Sequence, residues 1–137
     1  MDNERLITIK DLQSTAEGDD ALEITTRGFL RGTAEDYAIL YDEDYGDGLK
    51  SKTEIKVKNR RHASIVRRGD ITTELTVEAG KRHACQYSTP YGDLMMGIFG
   101  VSVFSTVDEN GGELRLDYTV DFNGEMAAQK KMRITIQ

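Results

Sequence analysis

Residues 80–97, reading GKRHACQYSTPYGDLMMG, hold the only Cys and the only Pro of the chain, one of its two His and two of its six Tyr. These are side chains with which a small protein could do chemistry. His83 and Cys85 stand two apart, so on a strand they share a face, as a base and a thiol nucleophile would. A nucleophile also needs a group that orients its base, and no motif supplies one, so no catalytic residue is assigned. His62, His83 and Cys85 have none of the spacings of a zinc site, and neither a metal ligand nor a cofactor is expected. What distinguishes the stretch is polarity on both faces. Arg82, Ala84, Gln86 and Ser88 alternate with His83, Cys85, Tyr87 and Thr89. Buried polar groups cost free energy unless partnered. Either this strand lines a wet cavity, or its polar groups form an internal hydrogen-bond network that holds the fold shut. On the first reading Arg82, His83, Tyr87 and Tyr91 are the ligand-binding candidates, around a cavity or its opening, for a small and partly polar molecule.

Two other stretches concentrate charge. The loop DEDYGDG at residues 42–48 suggests calcium, but an EF-hand needs Asp or Asn at its fifth position and Glu at its twelfth, where Gly46 and Thr53 stand. A solvated acidic hairpin loop is the expectation. Between Lys50 and Arg68 there are eight Lys and Arg against one acid, Glu54, whereas residues 1–48 hold thirteen acids and four bases. Such a strip could meet an anionic partner, or pair with acidic neighbours across a sheet. No aromatic residue is interleaved to stack on bases, which argues against nucleic acid.

The frame that must carry these residues reads as all-β. With 137 residues, 31% charged and 38% hydrophobic, the chain has the size of one domain, residues 1–137, with one core. The formal net charge of −6 keeps it soluble. The charged start MDNERLITIK and the lack of any apolar run near the ~20 residues of a membrane span predict a cytoplasmic protein without a membrane partner. A lone Cys fits a reducing compartment.

Period-two alternation predicts strands over 4–12, 21–31, 35–42, 50–58, 62–67, 71–78, 82–89, 94–107, 113–121 and 125–137. Gly28 interrupts the second, as a bend or bulge would. Thr89, Pro90, Tyr91 and Gly92 fit a type I turn. Asn123-Gly124 marks a hairpin, and register parity favours a three-residue loop with Gly124 in a bulge, because a two-residue loop would set apolar against polar faces. The run LMMGIFGVSVF is apolar on both sides, so its outer face, near Met95 and Phe99, calls for cover by a chain terminus or by a second subunit in a homodimer, unless it crosses a barrel corner. About 8–10 strands with short turns close most economically into an antiparallel up-and-down β-barrel, with a two-sheet sandwich as the other solution.

Residues 80–83 (GKRH), Tyr87, the Thr89 to Gly92 turn, Leu94, Gly97, residues 111–114 (GGEL) and Asn123-Gly124 together resemble the YwiB-like family, small bacterial β-barrels of the calycin or lipocalin-like kind. Tyr41, Glu43, Gly48 and Thr53 resemble its opening strands more loosely, and Cys85 and Gln86 stand outside its motif. The resemblance implies a lipocalin-like closed barrel in the cytoplasm, and supplies no reaction, ligand or catalytic residue. The functional expectation is a non-enzymatic barrel binding a small ligand in or at its mouth. The alternative is a protein or RNA interaction module acting through its outer surface.

Overall fold

Alternating sequence becomes ten antiparallel strands. The computed structural model describes residues 3–44, 46 and 48–137. In chain order the strands are β1 (Asn3–Thr15), β2 (Gly18–Gly32), β3 (Asp36–Asp44), β4 (Lys50–Lys58), β5 (His62–Gly69), β6 (Thr72–Glu78), β7 (Arg82–Thr89), β8 (Gly92–Ser105), β9 (Gly112–Phe122) and β10 (Glu125–Ile136). Sequence neighbours pair, and β1 pairs with β10 from Ile7↔Ile136 to Ser14↔Gln129, so the sheet closes into an up-and-down barrel. Closure gives the backbone groups of the two end strands partners that an open sheet would leave unmet.

The pleat decides what faces inward. On β4, Ser51, Thr53, Ile55 and Val57 are buried while Lys50, Lys52, Lys56 and Lys58 are exposed. The end carrying the β2–β3, β4–β5, β6–β7 and β8–β9 connections, here the base, is packed solid. Ile7, Ile39, Ile55, Ile65, Leu114 and Ile134 meet there with no exposed surface, each burial contributing about 1.5–3 kcal/mol. The other end is the mouth, and two ladders in the wall are short, β2–β3 parting toward the mouth and β6–β7 toward the base. The β2–β3 ladder has only the pairs from Phe29↔Leu40 to Gly32↔Tyr37, so the mouthward halves of these strands part. β6 meets β7 only at Thr72↔Ser88 and Thr73↔Tyr87. Further toward the base, the chain after β6 crosses to β8, where Gly80 N–H donates to the Gly100 carbonyl at 2.8 Å.

One local expectation is corrected and another narrowed. The Asn123-Gly124 turn has two residues, both at positive φ (55° and 88°), and pairs Glu125 with Phe122. The required parity change comes instead from a bulge in β10 between Met126 and Ala128, after which Ala128 faces Val120. The bulge leaves Met126 exposed on the outer surface. Gly28 is no bulge, since the β1–β2 ladder runs through Arg5↔Gly28 without a shift. Glycine is needed because a Cβ there would collide with the Leu40 carbonyl oxygen and the Ile7 side chain. Of the acidic 42–48 loop, Tyr45 and Asp47 lie outside the described residues. Asp44 Oδ1 accepts from Gly46 N–H at 2.9 Å.

Candidate functional site

Where the β1–β2 hairpin leans away from β3, the inward alternation of the strands continues past the packed core into open space. The result is a cavity of about 640 Å³ at the mouth, within the range of small-molecule sites. The polar part of its lining, here the floor, is Asp11 and Gln13 from β1, Glu43 and Asp44 from β3, Arg67 from β5, Tyr118 from β9 and Lys130 from β10. Apolar side chains are interleaved with it, Leu22 and Ile24 on β2, Leu75 on β6, Met96 on β8, and Val120 and Phe122 on β9.

Two ion pairs organise the floor. Arg67 Nε donates to Glu43 Oε1 at 3.0 Å, with 18% and 14% of their side chains exposed, and Thr53 Oγ1 donates to the same oxygen at 2.6 Å. Lys130 Nζ donates to Asp11 Oδ2 at 2.9 Å and to Gln13 Oε1 at 3.3 Å. Burial works against the charge on Arg67, but the charge and hydrogen bond of Glu43, together with Tyr41 and Tyr118, outweigh it and hold the guanidinium pKa above its usual value. Burial pushes the Tyr118 phenol up, the Asp11 charge adds to the rise and Arg67 opposes it, so these three groups act on one another across the floor. Asp11 Oδ1 is buried and has no hydrogen-bond partner. Among the described residues no three His, Cys, Asp or Glu side chains are grouped to hold a metal ion.

Of the four side chains singled out by the polarity of β7, Tyr87 alone lines this cavity. Arg82 lies on the outer wall, bonded through Nε and Nη2 to both oxygens of Asp121 at 2.9 and 2.8 Å. It lies over Gly97, where a Cβ would strike its guanidinium. Tyr91 sits in the β7–β8 turn, 86% exposed. His83 turns to the β6–β7 connection, Nε2 at 3.0 Å from Glu78 Oε1 and its ring edge-on to His62 with centroids 6.3 Å apart. Cys85 is buried, with Sγ at 3.1 Å from Thr73 Oγ1. His83 and Cys85, on one face in the sequence, therefore take different partners.

The His83 contact makes a prediction. Its hydrogen bond, joined by Lys81, holds the Glu78 carboxyl below the usual glutamate range. Because folding lowers this pKa, the pair's contribution to stability is present above the unfolded carboxyl value and is lost as pH falls through the folded one. His83→Ala should move the Glu78 titration upward toward the ordinary range in carboxyl-detected NMR, and an unmoved midpoint would show that the contact does not form in solution.

Comparison with known proteins places the molecule. The family model described as "Domain of unknown function (DUF1934)" matches residues 7–134. The chain belongs to that family. This DUF1934 chain also matches the crystal structure of the ywiB protein from Bacillus subtilis with a TM-score of 0.88 and 20% identity, over 99% of this chain and 92% of that one. That likeness shows the shared fold. A search of curated proteins finds no match.

Sequence reasoning on the DUF1934 chain did not single out the floor residues, although a signal was present. Asp11 continues the inward set Ile7 and Ile9, Arg67 continues Ala63 and Ile65, Glu43 continues Tyr37, Ile39 and Tyr41, and Lys130 precedes Met132 and Ile134. In each case the charge stands at the mouthward end of an inward-facing row. A charge in phase with the apolar face is the mark of a polar interior.

Proposed function

We propose that this protein binds a small, partly polar molecule in the mouth of its barrel, without catalysing a reaction on it. The observation that supports this is the cavity of about 640 Å³, whose lining mixes apolar side chains with the charged groups Asp11, Glu43, Asp44, Arg67 and Lys130. Such a mixed lining suits a partly polar guest, because its apolar part gains from burial and its polar part from hydrogen bonds. Tyr87 lines the cavity and stays a candidate contact, Tyr91 in the β7–β8 turn is a candidate at its rim, and Arg82 and His83 are engaged by Asp121 and Glu78 instead. The one free thiol, Cys85, fits cytoplasmic residence. Native mass spectrometry on protein purified from its own cells should show a retained mass that denaturation releases. Recovery of the bare chain alone, with no thermal shift across a library of polar metabolites, would sink the reading.

A second reading concerns the outer face of β8, where Met95, Phe99, Val101 and Phe104 are 40–59% exposed. Arg82 and Arg115 flank this row together with Asp117 and Asp121. Both signs beside one apolar row suit a second copy of the same face related by a two-fold axis. Sedimentation should detect a concentration-dependent dimer that Phe99→Glu abolishes, and a monomer at every concentration would exclude it.

A further inference from the structure

The Asn123-Gly124 turn carries a reaction that needs no enzyme. In an Asn-Gly sequence the glycine amide nitrogen, unhindered by a side chain, attacks the asparagine Cγ. The new C–N bond closes a five-membered succinimide, the attacking nitrogen gives up its proton, and the side-chain amide leaves with it as ammonia. Water then opens the ring at either carbonyl, leaving aspartate or a β-linked isoaspartate. The attack requires a Gly124 nitrogen that is free to lose its proton and to turn toward Cγ. Asn123 itself is exposed, so access of water does not limit the reaction.

The fold holds that nitrogen. Gly124 N–H donates to Asp121 Oδ1 at 3.0 Å. Asp121 is held in turn by Arg82, which reaches from β7 across Gly97 on β8 and donates through Nε to Oδ2 at 2.9 Å and through Nη2 to Oδ1 at 2.8 Å. The two-pronged contact fixes the orientation of the carboxylate, whose side chain is 15% exposed. The Arg82 hydrogen bonds, joined by that from Gly124, hold the Asp121 carboxyl below the usual carboxylate range, which makes it a weak base toward the N–H it accepts. Its negative charge beside the amide also opposes loss of the amide proton.

We propose that Asn123 is a latent deamidation site and that the Arg82–Asp121 pair is the clamp that keeps it closed. The proposal stands apart from the mouth cavity as a ligand site and gives a role to Arg82, which lies outside that cavity. Three strands build the clamp: β7 supplies the guanidinium, β8 the glycine slot and β9 the carboxylate. Deamidation would place a new negative charge two residues from Asp121, in a turn next to Phe122 of the cavity wall.

The chain carries its own control. Asn110-Gly111 is a second such dipeptide, where Gly111 N–H donates to the Asp108 carbonyl at 3.0 Å, a bond in which Arg82 and Asp121 take no part. Cleavage by trypsin at Arg115 separates the two asparagines. The test incubates the purified full chain at mildly alkaline pH and follows, by mass spectrometry of the tryptic peptides, the mass gain of amide becoming acid. Asp121→Ala, and Arg82→Met with its apolar stem kept, should each deamidate Asn123 at least about tenfold faster than the parent, with Asn110 unchanged. The parent unfolded in urea should lose the protection of Asn123 as well, a comparison that needs no variant. Equal acceleration at both asparagines in the variants would assign the effect to general loosening and overturn the proposal. So would an Asn123 rate like the parent's in either variant, or a folded parent that deamidates Asn123 as fast as it does in urea. A slower rate in Asp121→Ala would overturn it too, by making the carboxylate a base that promotes the attack.

Discussion

Ile55→Ala is expected to lower the free energy of unfolding by about 3–4 kcal/mol, measured by urea denaturation. Ile55 has no exposed surface and pairs with Ile39 on β3 and Ile65 on β5, both also fully buried. Its truncation removes methylene groups from a closed interior and leaves a void that rigid strands on either side cannot fill. Leu75→Ala is the matched control. Leu75 is 5% exposed but lines the mouth cavity. Its truncation enlarges space already present, so the loss should be about 1–2 kcal/mol, mainly the transfer term. Equal losses would mean that the mouth is as tightly filled as the base. That result would remove the physical ground for a ligand site.

Arg67→Met is the second large effect, a loss of about 3 kcal/mol in the same measurement. The substitution keeps most of the apolar stem and deletes the charge that Glu43 faces. Glu43 would retain Thr53 as a donor at 2.6 Å but no cation, in a site where only 14% of its side chain is exposed. The penalty belongs to the stranded carboxylate rather than to the lost bond, and this has a consequence. Adding Glu43→Gln to Arg67→Met should restore about half or more of the loss, because the pair would then be absent instead of broken. No restoration would show that Arg67 acts through packing alone.

The strand pattern was legible because one face of most strands meets the core and the other meets water, which writes a period of two into the residues. β4 shows it most plainly, with Thr53, Ile55 and Val57 inward and its lysines outward. Register parity at the last hairpin was also legible, since apolar faces must meet. Which residue absorbs the parity change was not, because a bulge at the turn and a bulge at Ala127 satisfy the same rule. The conserved direction of the logic and the freedom of its placement are typical of β-sheet register. At the site, Tyr87 could be read from the polarity of β7, but Arg82 could not be separated from it. Its fate depends on Asp121 and on the slot left by Gly97, both contributed by other strands.

The sequence by itself determined an all-β chain and its ten strands, favoured closure over a two-sheet sandwich, and set charges in phase with apolar rows. Tertiary structure alone decided where that polarity is used. Short β2–β3 and β6–β7 ladders let the wall part, so His83 moves to Glu78 at the base end while Asp11, Glu43, Arg67 and Lys130 gather below the mouth. The physical reason is that alternation is a local property of one strand, whereas an opening depends on how far neighbouring strands stay paired around the barrel.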